Sequence, residues 1–379
     1  MKFKRVYIVE PVGGHGGMDL YDYGQCAGLA HHGYAVSLCT CDQTLEKDLH
    51  LVRTRSFFGK VWSGNKLERL VRFYHGYLKS FKAAQKDHAT VVHFHFFQIG
   101  WLNWGVLQLA RFYRFKKVVT LHDVDPFVHA TSPAMHRRTV KRADAVVVHN
   151  DFSRKELVEK GVPAEKIRVI PHGNYCDFIE ALPARKKDGT LQLLFFGQIK
   201  TVKGLDVLLE GFAKALKHGA KIHLTIAGRP WHADWQDFET LIEKHALQPY
   251  LTLRLDYIPN DEVSALFAAS DLVVLPYRRI YQSGVLLLAM SYGRPCLCSD
   301  LEPFTAVIEE GKNGLLFPDG SAEGLAQQLL ALSENMEVLD ALRTGALHTV
   351  RQAYDWKVIG GQLIELYEYL SAKDPANHD

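Results

Sequence analysis

The sequence predicts an α/β protein of two Rossmann-like domains, each a parallel sheet covered by helices and the two sheets facing across a cleft. Three observations carry this. Apolar runs of strand length alternate with amphipathic runs of helix length. The alternation restarts after a polar, linker-like segment at residues 181–189. At 379 residues the chain exceeds one compact core of this kind and fits two domains of about 150–200 residues each.

The elements follow in order. Val6–Val9 reads as a buried strand, followed by the glycine-rich turn Pro11–Gly17 and a helix from Tyr21 to His32 that stops at Gly33. Strands are expected at Ala35–Cys39, Val91–His95, Lys117–Leu121 and Ala145–His149. Ser153 is placed to cap a helix over Arg154–Lys160. In the second half, strands are expected at Leu191–Phe196, Ile222–Ala227, Leu251–Leu255, Leu272–Leu275 and Pro295–Cys298, with a helix over Leu205–Lys217. The expected domains are 1–180, joined by a returning C-terminal helix at 355–372, and 186–354. The polar end, Lys373–Asp379, is expected to fray.

Composition narrows the function. The 47% hydrophobic and 23% charged content is ordinary for a globular protein. Six cysteines form no Cys-x-x-Cys pair and read as reduced, mostly buried thiols. The opening apolar run is too short for a secretory signal, and no stretch approaches a membrane span, so the expectation is a cytoplasmic protein, peripheral to a membrane at most. Charge is uneven: residues 1–185 hold roughly 27 Lys and Arg against 17 Asp and Glu, residues 186–379 roughly 18 against 25. A basic first half points to an anionic partner. No nucleic-acid-binding motif accompanies it. The helix expected over Lys66–Lys86 interleaves lysines and arginines with aromatics, the pattern of a helix lying on an anionic bilayer; an amphipathic core helix with a solvated basic face is the alternative.

Four segments carry chemistry. Gly13–Gly17 sits between a strand and a helix, where glycines let backbone approach phosphate oxygens. It is neither a dinucleotide fingerprint nor a P-loop. His122 follows a strand at its carboxyl end, where ligands of such sheets bind. Lys203 stands just before Gly204 at a helix start, where a diphosphate could lie. Ser283 and Gly284 open an apolar helix whose free N–H groups can grip an anion.

These segments together resemble the retaining glycosyltransferases of family four, which have the two-domain GT-B fold. The resemblance runs along nearly the whole chain: Gly13–Gly17, Leu121–Asp123, Arg142–Asp144, Ile170–Gly173, Gly197 to Gly204, Ser270 to Pro276, Ala289 to Cys296 and Glu310–Pro318 match the family's segments in order. There are departures. Gln198 stands where the family has a diphosphate-binding arginine, and Ile280 and Leu288 stand where it has a pair of glutamates. Arg278 and Arg279 lie close enough in sequence to replace lost positive charge.

The resemblance implies a donor nucleotide held by the second domain and an acceptor held by the first. It implies catalytic roles for His122 and Lys203. It places the donor on Gly16, Gly17, Gln198, Gly228, Arg229, Tyr257, Ile258, Arg278, Gln282, Ser283, Gly284 and Val285, and the acceptor near His15, Asp19 and Asp123. No cofactor or metal ion is expected, since cations and helix ends carry the leaving-group charge; Asp123-Val-Asp125 is a formal metal-binding pattern in the wrong place. The expected activity is retaining transfer from a UDP- or GDP-sugar to a glycan or polyprenyl-diphosphate-linked acceptor, in bacterial surface polysaccharide synthesis. The lost arginine and glutamates leave a rival: a non-catalytic nucleotide-sugar-binding subunit of an assembly complex. An epimerase of the same fold is a further rival.

Overall fold

The structure is a computed structural model and describes residues 4–14, 16–61, 63–125, 131–185, 188–231, 233 and 235–373. The chain forms two compact units, residues 1–173 with 354–379, and residues 174–353.

The first unit runs β1 (Arg5–Val9), α1 (Gly16–His31), β2 (Ala35–Thr40), β3 (Val52–Ser56), α2 (Lys66–Lys86), β4 (Val91–Phe96), α3 (Trp101–Ala110), β5 (Lys116–Leu121), α4 (Pro133–Val140), β6 (Ala145–Val148), α5 (Asp151–Glu159) and β7 (Ile167–Val169). Its strands form one parallel sheet in the order β3-β2-β1-β4-β5-β6-β7. The central strands are buried along nearly their whole length, which is why they read as continuous apolar runs. Helix α1 begins at Gly16, a turn earlier than the sequence suggests, so Gly16 and Gly17 are its first two residues. Helix α5 is capped by Asn150, whose side chain accepts from the Ser153 N–H; Ser153 lies inside the first turn instead of at its head.

The second unit runs β8 (Leu191–Phe196), α6 (Leu205–Lys217), β9 (Ile222–Ala227), α7 (Trp235–Lys244), β10 (Leu251–Arg254), α8 (Asn260–Ala268), β11 (Leu272–Leu275), α9 (Gly284–Ser291), β12 (Cys296–Ser299), α10 (Glu302–Thr305), β13 (Leu315–Phe317), α11 (Ala322–Glu334) and α12 (Val338–Ala353). Its parallel sheet has the order β10-β9-β8-β11-β12-β13. The described part of the segment read as a linker is bound to this unit: the Leu182 N–H donates to the Tyr292 carbonyl, and Arg185 grips Asp271 with two N–H groups.

The last helix, α13 (Trp356–Ala372), belongs to the first unit and packs on α1. Glycines permit this. A Cβ on Gly28 would stand 2.1 Å from the Trp356 carbonyl, and one on Gly360 would meet the Gly28 backbone at 2.4 Å. Trp356, buried, fills the notch over Gly24 and Gly173.

Candidate functional site

The strand order of the second sheet reverses between β8 and β11, which run parallel. The chain leaves β8 toward β9 on one side and β11 toward β12 on the other. A crevice opens at the carboxyl ends of the strands at such a point. Two loops reach it, residues 197–204 and 276–283. Gly204, at φ 65°, lets them touch: a Cβ there would stand 1.8 Å from the Pro276 carbonyl oxygen, so a larger residue would drive the loops apart.

Lys203 lies where the loops meet. A Cβ on Gly197 would be 3.1 Å from the Lys203 Nζ and 3.5 Å from Val285, so the ammonium sits over Gly197 beside the first turn of α9. It faces the Tyr277 ring, 5.3 Å from the centroid. Among the described residues its side chain has no ion pair or hydrogen bond. Burial, with Lys200 nearby, pulls its pKa down to about 7. Ser283 caps α9, its Oγ accepting from the Leu286 N–H at 3.1 Å. That leaves the N–H groups of Gly284 and Val285 pointing out of the helix start. The Gln282 Oε1 and the Tyr277 hydroxyl are buried without hydrogen-bond partners. A cation without a counter-ion, open amides and unmatched polar atoms make an anion-binding arrangement.

The other residues expected on the donor divide. Gly228 packs on Gly197, since a Cβ would reach the Gly197 carbonyl oxygen at 2.1 Å. Gln198, Arg229 and Tyr257 are exposed, and Ile258 is buried. Arg278 does not supply spare charge: it is ion-paired with Asp206 on the first turn of α6. Arg279 donates to the Tyr281 hydroxyl at 2.8 Å.

The state of Lys203 predicts a pH dependence. At pH 8 to 9 the empty site holds the neutral amine; a diphosphate restores the charged form, so binding takes up a proton. Affinity for a nucleotide-sugar, whose diphosphate diester has no group titrating near neutral pH, is expected to fall as pH rises above about 7, by up to about tenfold per unit. Calorimetry in buffers of different ionisation enthalpy measures the uptake. Lys203→Met should abolish it; uptake of the same size in that variant would place the titrating group elsewhere.

The first sheet reverses between β1 and β4, and its carboxyl edge carries a buried polar cluster. His95 on β4, His122 after β5, His149 after β6 and His172 after β7 line it. Burial holds all four below the ordinary histidine range, His95 and His172 near about 3, His149 near about 4 and His122 well down, so they are neutral at pH 7. Glu10 and Asp22 are buried there too, and burial pushes both carboxyls up. Asp22 Oδ1 lies 2.9 Å from His95 Nδ1, and burial drives both groups toward their neutral forms.

Hydrogen bonding assigns the tautomers. The His149 Nδ1 lies 3.1 Å from the Ile170 carbonyl, which can only accept, so Nδ1 carries the proton. The His149 Nε2 then accepts from the His122 Nδ1, 3.4 Å away. This leaves the His122 Nε2 as a lone pair, buried and without a partner. Phe97 stacks on the His122 ring and Tyr21 meets it edge-on, fixing its plane.

Asp19 has a structural task that the sequence reading does not include: its two carboxylate oxygens accept from the N–H groups of Gly14 and Leu45, holding the glycine-rich loop. Asp123 is partly exposed after His122. Asp125 pairs with the Lys160 ammonium at 2.6 Å. His15 lies outside the described residues. The neighbours of His122 carry a signal the sequence offered, a histidine at the end of each of three successive strands and another just past the next.

Both halves match family descriptions in chain order. Residues 15–177 match Glycosyltransferase Family 4, and residues 190–335 match Glycosyl transferases group 1. The chain belongs to the group 1, family 4 glycosyltransferases. This glycosyltransferase is 25% identical to an alpha-D-kanosaminyltransferase of Streptomyces kanamyceticus over 66% of its length and 68% of that protein's. It is 28% identical to a GDP-mannose:cellobiosyl-diphosphopolyprenol alpha-mannosyltransferase of Xanthomonas campestris, over 61% of this chain and 60% of the relative. The chain spans about 60% of the length of several curated relatives it matches. Among solved structures it resembles HepE of Anabaena, crystallised with UDP and glucose, at a TM-score of 0.71 and 17% identity, over 97% of this chain and all of that one. The fold is GT-B.

Proposed function

We propose that this glycosyltransferase moves a sugar from a UDP- or GDP-sugar to a glycan or polyprenyl-diphosphate-linked acceptor in surface polysaccharide assembly, retaining the anomeric configuration. The observation that carries the donor half is Lys203, a cation without a partner beside the open amides of α9. There the developing charge of a leaving diphosphate is met by groups already in place, with no metal ion or cofactor required. Relatives named for GDP-mannose and a diphosphopolyprenol acceptor, and a neighbour crystallised with UDP, support the substrate classes. A thermal-shift screen of UDP-, GDP- and ADP-sugars identifies the donor, and turnover with that donor, followed by NMR of the product anomer, tests transfer and its stereochemistry. Binding without transfer or donor hydrolysis would favour the non-catalytic reading.

No helix among the described residues is long and apolar enough to cross a membrane. Contact at a membrane surface is a separate proposal. Helix α2 buries Tyr77, Phe81 and Ala84 in its second half, while Leu67, Leu70 and Val71 in its first half are exposed. Trp101 and Leu102 at the start of α3 are exposed as well, and the Tyr74 hydroxyl ties the two helices by donating to the Leu102 carbonyl. Exposed lysines 66, 79, 82 and 86 add positive charge along the same helix, which suits anionic lipid. The protein is expected to sediment with anionic liposomes at low salt and to be released by high salt or by Leu67→Glu with Val71→Glu. No sedimentation at low salt would reject the proposal.

A further inference from the structure

At the opposite edge of the second sheet, before the amino ends of β11 and β12, lies a small pocket open to solvent. Arg185, Arg294 and Arg343 line it, with Asp271 and Asp340.

Their pairing is uneven. Arg185 is matched: it grips Asp271 and also reaches Asp188. Asp271 is spent on that pair and on the Gln192 N–H. Asp340 is exposed. Arg294, only 2% exposed, has no carboxylate hydrogen-bonded to it among the described residues: its Nε donates to the Phe267 carbonyl at 2.7 Å and an Nη to the Pro183 carbonyl at 2.8 Å. Arg343 donates one Nη to the Leu182 carbonyl at 2.6 Å, while its Nε is buried and donates to nothing. Carbonyl oxygens satisfy N–H groups but balance no charge. Burial and the adjacent Arg343 bring the Arg294 pKa down to about 10, the mark of like charges held together out of water.

Two guanidiniums with no carboxylate partner among the described residues, one with an unused buried N–H, beside an open pocket, would be favoured by an added counter-charge. We propose that this cavity binds a small oxyanion, a free phosphate or the phosphoryl group of a sugar phosphate, through Arg343 and Arg294. Guanidinium donors suit that geometry. The anion would tie α12 to the strand edge and to residues 182–185, which precede the first strand of the second unit, so occupancy would stabilise that unit. The site is separate from the Lys203 crevice at the other end of the strands.

The test uses Lys203→Ala, which weakens the response of the crevice, and compares inorganic phosphate with chloride at equal ionic strength. Phosphate at millimolar concentration is expected to raise the melting temperature by about 2–4 °C. Arg343→Gln in the same background should lose the shift, and Arg343→Lys should keep part of it. Phosphorus NMR line broadening, present in the parent and absent in Arg343→Gln, reads binding directly even where melting of a variant is already low. Glucose 1-phosphate as a second probe separates the sources: equal or stronger stabilisation assigns the cavity to phosphoryl esters, weaker stabilisation to free phosphate. No shift beyond chloride, or an equal shift in Arg343→Gln, overturns the proposal.

Discussion

Lys203→Ala is expected to lower donor turnover by at least about a hundredfold while the second unit stays folded. A diphosphate leaving group carries about two negative charges, and withdrawing it from water without compensation is costly. The glutamine at position 198 brings hydrogen bonds and no charge, and it is exposed. Arg278 is bound to Asp206, and Arg279 is turned to the Tyr281 hydroxyl. Lys203 and the α9 amides are left to meet the developing charge, and losing one strong donor of this kind costs about a hundred- to a thousandfold. Gln198→Ala is expected to cost much less, and Gln198→Arg to be tolerated. The three variants are compared by turnover of the donor, with melting temperature as the folding control. A nearly silent Lys203→Ala would mean that the phosphate lies elsewhere or that the chain binds without transferring.

Legibility of the fold in the sequence depended on burial. Leu272–Leu275 and Ile222–Ala227 are central or near-central strands, so their apolar runs have the same bounds in sequence and structure. Val52–Ser56 escaped notice because it is an edge strand, and its polar alternation is explained by Arg55, which extends to Asp87 at 2.8 Å. Ile167–Val169 and Leu315–Phe317 are too short to stand out by periodicity. Ser153 was a plausible cap by type; Asn150 won because it lies in extended backbone at φ −157°, one residue before the helix.

The candidate site was half legible for a related reason. Lys203, Ser283 and Gly284 sit at helix starts, a local feature that a sequence displays. The partners of His122 come from different strands, so only the parallel register brings them together. Likewise the Arg278–Asp206 pair joins residues 72 apart and removes a charge that the sequence alone would count as available.

The second large effect is expected at His122, and it identifies His149 as a positioning residue. If the lone pair on His122 Nε2 receives a hydroxyl of the bound sugar or acceptor, His122→Ala removes an interaction in a water-poor setting and should lower transfer by roughly tenfold to a hundredfold. His149 acts one step away. Its Nδ1 proton is committed to the Ile170 carbonyl, so its Nε2 must accept, and this holds the His122 proton on Nδ1. His149→Phe keeps the ring volume but frees that proton; His122 can then carry it on Nε2 and turn a donor toward the ligand. His149→Gln can both donate to the carbonyl and accept from His122, and should rescue. Expected, then, is a loss in His149→Phe approaching that of His122→Ala, with recovery in His149→Gln. Nitrogen-15 spectra of the ligand-free protein should show His122 protonated on Nδ1 in the parent and in His149→Gln, and shifted toward Nε2 in His149→Phe. A loss of activity in His149→Phe with the tautomer unchanged would reduce His149 to packing. An unchanged rate in His122→Ala would remove His122 from the site altogether, whatever its tautomer.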